Sequence, residues 1–268
     1  MKRGPFITLV AVLGFVFLYA PIVSLIVYSF NESRLVTVWT GFSLQWYVRL
    51  FQDSQVVRAG ILSLQIAAVS ATIATVLGTL AGLALTRLGR FRGRTALMGM
   101  VSAPLVMPEV ITGLSMLLLF VTMDAVIGWP RGRGFTTVVI AHATFCTAYV
   151  TVVVRSRLLD MDDSLDEAAM DLGATPLRVF FDITLPIISP ALIAGWLLAF
   201  TLSLDDLVVA SFVSGPGAST LPMVIFSKIR LGVSPDVNAL ATIIIAIVAI
   251  GVGLATFIGM RRSRANGR

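Results

Sequence analysis

Three carboxylates stand inside otherwise oily stretches of this sequence. Glu109 lies in "APLVMPEVITG", and Asp205 and Asp206 are neighbours in "LLAFTLSLDDLVVASF". An ionisable side chain in such a run is costly unless it faces a cavity, a pore or a partner. Carboxylates spaced along a route could replace part of the hydration of a cation in transit, provided each holds it weakly enough to let go. On a continuous helix, adjacent residues point about 100° apart, so Asp205 and Asp206 would take unequal roles. The competing reading is structural: the pair holds polar helix ends or meets a basic residue. Pro104 and Pro108 remove backbone donors just before Glu109 and invite a kink. Membranes tolerate such irregular backbone mainly beside protein or water. Trp46, in "SLQWYVRLF", could offer its face to an organic cation, although a place in an interfacial aromatic belt is the plainer reading. His142 and Cys146 are one helical turn apart and share a face. Helix packing is favoured there over a two-residue metal site, and no metal is expected.

The surrounding elements must be membrane helices. Of 268 residues, 57% are hydrophobic and 13% charged, roughly half the charge of an ordinary soluble domain. The composition argues against a water-soluble globule and for an all-α, polytopic membrane protein. One cysteine excludes an internal disulfide, and one histidine excludes a histidine-rich metal site. Six spans are expected, at roughly 6–30, 60–86, 95–123, 135–154, 187–212 and 237–260, each long enough to cross the hydrocarbon layer. The first is too long for the apolar region of a signal peptide and is expected to be retained. A single transmembrane domain over 1–268 is expected, with no internal repeat. No G-x-x-x-x-G-K-[ST] loop is present. If ATP drives this protein, another subunit must bind it.

Basic residues set the orientation. Lys2 and Arg3, the cluster Arg87, Arg90, Arg92 and Arg94, then Arg155, Arg157 and Arg178, and the tail Arg261, Arg262, Arg264 and Arg268 fall on one side of a six-span chain. The other side carries fewer: Arg34, Arg49, Arg58, Arg131, Arg133, Lys228 and Arg230. By the positive-inside rule both termini are cytoplasmic. A nucleic-acid role for the basic tail is set aside, because no folded soluble module accompanies it.

The longest polar interruption on the inner side is "RSRLLDMDDSLDEAAMDLGATPLRVFFDITLP", residues 155–186. Ser164 and Glu167 have capping-box spacing. Leu165, Ala168, Ala169 and Leu172 share a helix side. Gly173 is a stop signal, and Thr175 with Pro176 can begin a second helix. Leu185-Pro186 is expected to turn the chain into the next span. A helix-turn-helix DNA reader is disfavoured, since acidic residues dominate and a phosphate backbone would repel them.

"EAAMDLGATPLRVFFDITLP" resembles the EAA loop of ATP-binding-cassette importer permeases, through Glu167, Ala168, Ala169, Gly173, Ile183, Leu185 and Pro186 at the family's spacing. The resemblance implies that this loop carries a coupling helix docking on an ATPase subunit. "FLYAPIVSLIVYSFNESRLVTVWTGFSLQWY", "AHATFCTAYV" and "AFTLSLDDLVVASFVSGPGASTLPM" extend it over nearly the whole chain. These stretches are similar to polyamine-uptake permeases, most of all the second permease of the putrescine importers, then the spermidine ones. The resemblance implies a type I importer in the bacterial inner membrane. Its expected partners are a homologous second permease, two ATPases carrying ATP and magnesium, and a periplasmic polyamine-binding protein, with no cofactor on this chain. An ion-coupled secondary transporter of organic cations is the alternative, but it would leave the EAA loop unexplained and commonly shows repeated halves. An ion channel lacks a filter sequence.

Reporter fusions test the orientation. Fusions at residues 130 and 220 are expected to report the outside, and those at 90 and 170 the inside.

Overall fold

The computed structural model describes residues 5–34, 38–162, 164–232 and 235–266. Lys2, Arg3 and Arg268, used above for orientation, lie outside them. Among the described residues the regular structure is helical, apart from one isolated antiparallel bridge between Asn31 and Phe42. In chain order the helices are α1 (Pro5–Tyr28), α2 (Gln45–Gln52), α3 (Ser54–Arg87), α4 (Arg94–Val106), α5 (Glu109–Ile127) and α6 (Phe135–Leu159). Then follow α7 (Ser164–Asp171), α8 (Pro176–Val179), a π-helical turn (Phe180–Thr184), α9 (Leu185–Asp205), α10 (Val208–Val213), α11 (Leu221–Leu231) and α12 (Pro235–Asn266). They form two compact units, one of Met1–Val57 with Val224–Arg268, the other of Arg58–Met223.

In the first unit α12 packs on α1 and on α2. The connection between α1 and α2 is organised by Asn31, which is fully buried. Its amide donates to the Val38 carbonyl at 2.7 Å, and its side-chain oxygen accepts from the Thr40 N–H at 3.1 Å. The Trp46 indole donates to the Asn31 carbonyl at 2.6 Å. A buried loop needs such bonds because its backbone groups lack a helical ladder. The Lys228 ammonium of α11 joins Asp53, between α2 and α3, at 2.7 Å, and Asp236, in the first turn of α12, at 2.8 Å.

In the second unit α6 is the most enclosed span, because its apolar face is built of small and β-branched residues. Val138, Val139 and Ala141 pack with Ile66, Phe120, Val209 and Val213. Further along, Cys146, Val150, Val154 and Leu158 pack with Ala71, Ala74, Ile188 and Ala199. Gly78 lets α3 approach closely: a Cβ there would sit 2.8 Å from the Val150 Cβ. The small residues of α3 thus serve helix packing, as expected for membrane bundles.

Among the described residues, five helices are long and apolar enough to cross a membrane: Phe6–Tyr28, Ser54–Arg87, Glu109–Ile127, Phe135–Leu159 and Pro176–Asp205. The expected last span falls in α12, where the apolar stretch among the described residues is the shorter Pro235–Ile250. Three expectations need correction. The span expected over 95–123 is two helices, α4 and α5, separated at Met107 and Pro108. Proline drives its predecessor into extended backbone, and Met107 is extended at φ −74°, ψ 138°. The span expected over 187–212 stops at Asp205, and α10 begins only at Val208. Leu185-Pro186 does not turn the chain: the helical path runs on from Pro176 to Asp205 through the π turn. Pro186 has no N–H to return to the preceding turn, and local π adjustment accommodates such a missing donor.

The Lys228 cluster has a pH signature. Burial pulls the ammonium down, but its hydrogen bonds to Asp236 and Asp53 outweigh this and hold it above the ordinary lysine range. The Lys228 hydrogen bond holds Asp53 below the usual carboxylate range, against its partial burial. The Asp53 contribution is therefore present above the ordinary carboxylate range and lost as pH falls through the lowered value; the Lys228 contribution is lost only as pH rises through the raised one. Lys228→Met is expected to remove about 1 kcal/mol of stability at pH 7, read by thermal unfolding in detergent. The gap to the parent should narrow in acid.

Candidate functional site

Both helix breaks of the second unit open on one cavity of about 250 Å³. Glu109 lines it from the start of α5, and Asp205 and Asp206 from the end of α9. Phe145 and Tyr149 of α6 and Pro104 and Met107 at the α4–α5 break complete much of its wall. The three carboxylates singled out from sequence therefore meet, although 96 residues separate Glu109 from Asp205. Glu109 occupies the first turn of α5, where the helix dipole favours a negative charge. Among the described residues no ion pair reaches Glu109 or Asp205.

Asp206 is engaged differently. Its backbone is extended, at φ −64° and ψ 124°, so it stands outside the helix that Asp205 ends. The 100° separation expected for two helical neighbours does not apply. Its carboxylate caps α10, accepting from the Ala210 N–H at 2.7 Å and the Val209 N–H at 3.3 Å. One of its oxygens also lies 3.1 Å from His142 Nε2. The structural role weighed for the aspartates, holding a helix end and meeting a basic residue, is thus met at Asp206.

Trp46 belongs to the other unit and does not line this cavity. It is buried, at 5% exposure, which also removes it from an exposed aromatic belt. Its indole N–H is taken by Asn31, and the Arg49 guanidinium covers its ring at 4.9 Å from the centroid. His142 and Cys146 share a buried face as expected, and among the described residues no cluster of metal-ligating side chains exists. His142, Ser203, Phe145 and Tyr149 escaped the sequence reading as site residues. A lone histidine in an apolar span was a signal; its pairing with Asp206 was not visible without the fold.

The segment that resembles the EAA loop also takes shape. α7 begins at Ser164, whose N–H is accepted by the Asp162 carboxylate at 3.0 Å. Ser164 is therefore a helical residue, and Asp162 takes over the cap expected from the Ser164–Glu167 box. The Ser164 N–H holds the exposed Asp162 carboxyl below its usual range. Gly173 ends the helix at φ +87°, with its N–H bonded to the Met170 carbonyl and the Ala174 N–H to the Ala169 carbonyl. This is a Schellman turn, which requires the left-handed residue at Gly173. Thr175 precedes Pro176 as expected but makes no side-chain cap. The α7 carboxylate Asp166 meets Arg87, at the end of α3, at 3.2 Å, and accepts from the Thr184 hydroxyl at 3.3 Å. Glu167 and Ala168 are exposed, Ala169, Ile183 and Leu185 half-buried, and Pro186 exposed. Leu165 and Leu172 stand 46% and 90% exposed. The apolar side of α7 is therefore open and does not rest on its own bundle.

Residues 74–264 match the family described as the binding-protein-dependent transport system inner membrane component. The chain belongs to that family. This permease is 60% identical to the putrescine transport system permease protein PotI of Escherichia coli K12, over 97% of its own length and 92% of that protein. It is 40% identical to the spermidine/putrescine transport system permease protein PotC of the same organism, over 99% and 97%. The permease also shares its fold with a chain of a bacterial ABC transporter for the import of alginate, at a TM-score of 0.73 and 20% identity over 96% and 94% of the two chains. It is thus an all-α, multi-pass permease of the importer type, and its kin are transport subunits and not enzymes.

Gly173→Val places a β-branched residue in left-handed backbone, at about 1–2 kcal/mol. The amides of Gly173 and Ala174 are expected to exchange hydrogen about tenfold faster than in the parent, read by hydrogen–deuterium exchange, while the α6 amides keep their protection.

Proposed function

We propose that this permease moves a polyamine, putrescine foremost and spermidine next, from periplasm to cytoplasm along a path lined by Glu109, Asp205 and Asp206. The observation that carries the reading is the convergence of these carboxylates on one cavity walled by Phe145 and Tyr149. A diamine with an alkyl spacer suits such a mixture: carboxylates replace the hydration of its ammonium groups, and aromatic faces accept cations and alkyl chain alike. The similarity to a putrescine permease and a spermidine/putrescine permease supports the same substrate class.

The energy comes from outside the chain. Two ATPase subunits holding ATP and magnesium drive the cycle by docking on the coupling segment that contains Glu167, Ala168, Ala169 and Gly173, carried on to Ile183, Leu185 and Pro186. The exposed apolar side of α7 supports a partner there, since a short helix needs packing to persist. A homologous second permease completes the path, and a periplasmic binding protein delivers the polyamine. A structural neighbour is a bacterial alginate transporter in complex with a substrate-bound periplasmic protein, which fits that arrangement. The termini lie in the cytoplasm, on the evidence of the arginine distribution. The coupling segment favours this scheme over ion-coupled transport.

Uptake of labelled putrescine into proteoliposomes, normalised to assembled complex, tests the path. Asp205→Asn and Glu109→Gln are each expected to lower uptake at least tenfold while ATPase docking persists. Full uptake by both overturns the carboxylate path.

A further inference from the structure

Asp206 lies beside the cavity, yet its carboxylate is already occupied. One oxygen accepts from Val209 N–H, and the other accepts from Ala210 N–H and faces His142 Nε2 at 3.1 Å, somewhat off the hydrogen-bond line. The His142 side chain is fully buried, and that of Asp206 is 6% exposed. On the other edge of the ring, Nδ1 lies 2.7 Å from the Ser203 hydroxyl, in the last turn of α9. A single imidazole on α6 therefore spans the last turn of α9 and the residue that starts the break. One turn further along α6, the ring of Phe145 packs on His142 at 5.4 Å between centroids and lines the cavity. Serine, histidine and aspartate in line also make up a hydrolytic triad, but Ser203 is buried and neither Ser203 nor His142 lines the cavity. Ser203 and His142 therefore have no access to a substrate, and the trio acts on the backbone around it.

We infer that His142 is a positioning residue for the aspartate pair: clamped between Ser203 and Asp206, it fixes the break between α9 and α10, commits Asp206 to that break, and leaves Asp205 to face a cation. The inference rests on the carboxylate-path reading for its cation. Its geometric core, the anchoring of the break to α6, stands apart from the identity of the substrate.

The two amide replacements of histidine separate the two edges of the ring. An asparagine amide reaches the place of Nδ1, and a glutamine amide reaches that of Nε2. His142→Gln keeps a donor for Asp206, whereas His142→Asn keeps a partner for Ser203 alone. A thiol at Leu207→Cys reports the break, since Leu207 follows Asp206 and lines the cavity; the native thiol of Cys146 is buried and sets the background. The assembled permease complex is labelled with a small charged methanethiosulfonate, without substrate. His142→Asn is expected to change the labelling rate at least fivefold and to lower putrescine uptake at least tenfold. His142→Gln should stay within twofold and threefold of the parent in these measures. Asp206→Asn should alter labelling as His142→Asn does, with the double variant no worse than either single, because interacting residues are not additive. Asp205→Asn should lose uptake with labelling unchanged. Equal effects of His142→Asn and His142→Gln, or additive effects of His142→Asn and Asp206→Asn, overturn the inference. If His142→Asn does not assemble, His142→Gln decides: uptake as low as that of Asp205→Asn overturns it, and near-parental uptake upholds it. Should the parent take up no polyamine while the labelling pattern holds, the substrate reading falls and the positioning role stands.

Discussion

A helix that stops inside an apolar layer leaves backbone N–H and C=O groups without intrahelical partners, and hydrocarbon supplies none. The second unit contains two such stops, at Met107–Pro108 and at Asp206–Leu207. Each meets the constraint by its own chemistry. Pro108 has no N–H to strand, and its carbonyl accepts from Ile111 and Thr112 at the start of α5. Asp206 accepts from the second and third N–H groups of α10, those of Val209 and Ala210. The cavity exists because both interruptions open toward the same space, and its charge follows from the residues that interrupt the helices.

Such a site needs a fixed wall. α6 provides it, because its buried face of valine, alanine, threonine and cysteine lets its neighbours approach closely. The Thr137 hydroxyl ties the start of α6 to the Val213 carbonyl at the end of α10, at 2.7 Å, and the Cys146 thiol donates to the Ala199 carbonyl of α9 at 3.4 Å. His142 lies between those two ties. The polar side chains of Thr137, His142 and Cys146 thus face protein, which is where a membrane helix can afford them.

Much of this was legible in the sequence. Apolar runs located the helices, and the intramembrane carboxylates marked the cavity, because buried charge demands a reason wherever it occurs. Gly173 announced its turn, since left-handed backbone has a short list of tenants. What periodicity could not convey were the interruptions. Hydropathy averages over a window, so two short helices joined at Pro108 and a helix ending at Asp205 each read as one long span. Nor could it convey partnership across distance: His142 and Asp206 are adjacent in space only because α6 and α9 pack together. Asp162 displaced Ser164 as the cap of α7 for a local reason: a carboxylate two residues upstream accepts the N–H of Ser164 itself, which places Ser164 inside the helix.

The uninterrupted helical path from Pro176 to Asp205 gives the second unit a mechanical axis. Thirty residues of helix extend roughly 45 Å at 1.5 Å per residue. A hydrogen-bonded rod of this kind bends more readily than it shortens. Displacement along its axis at α8 would therefore be carried toward Asp205, less any bending at the π turn and at Pro190. The π turn at Phe180–Thr184 sits near the α8 end, where a slightly wider coil can take up rotation, and Thr184 donates to Asp166 there. The far end of the rod is the last helical carboxylate before the break. One continuous element thus joins the segment next to α7 to a carboxylate on the cavity wall.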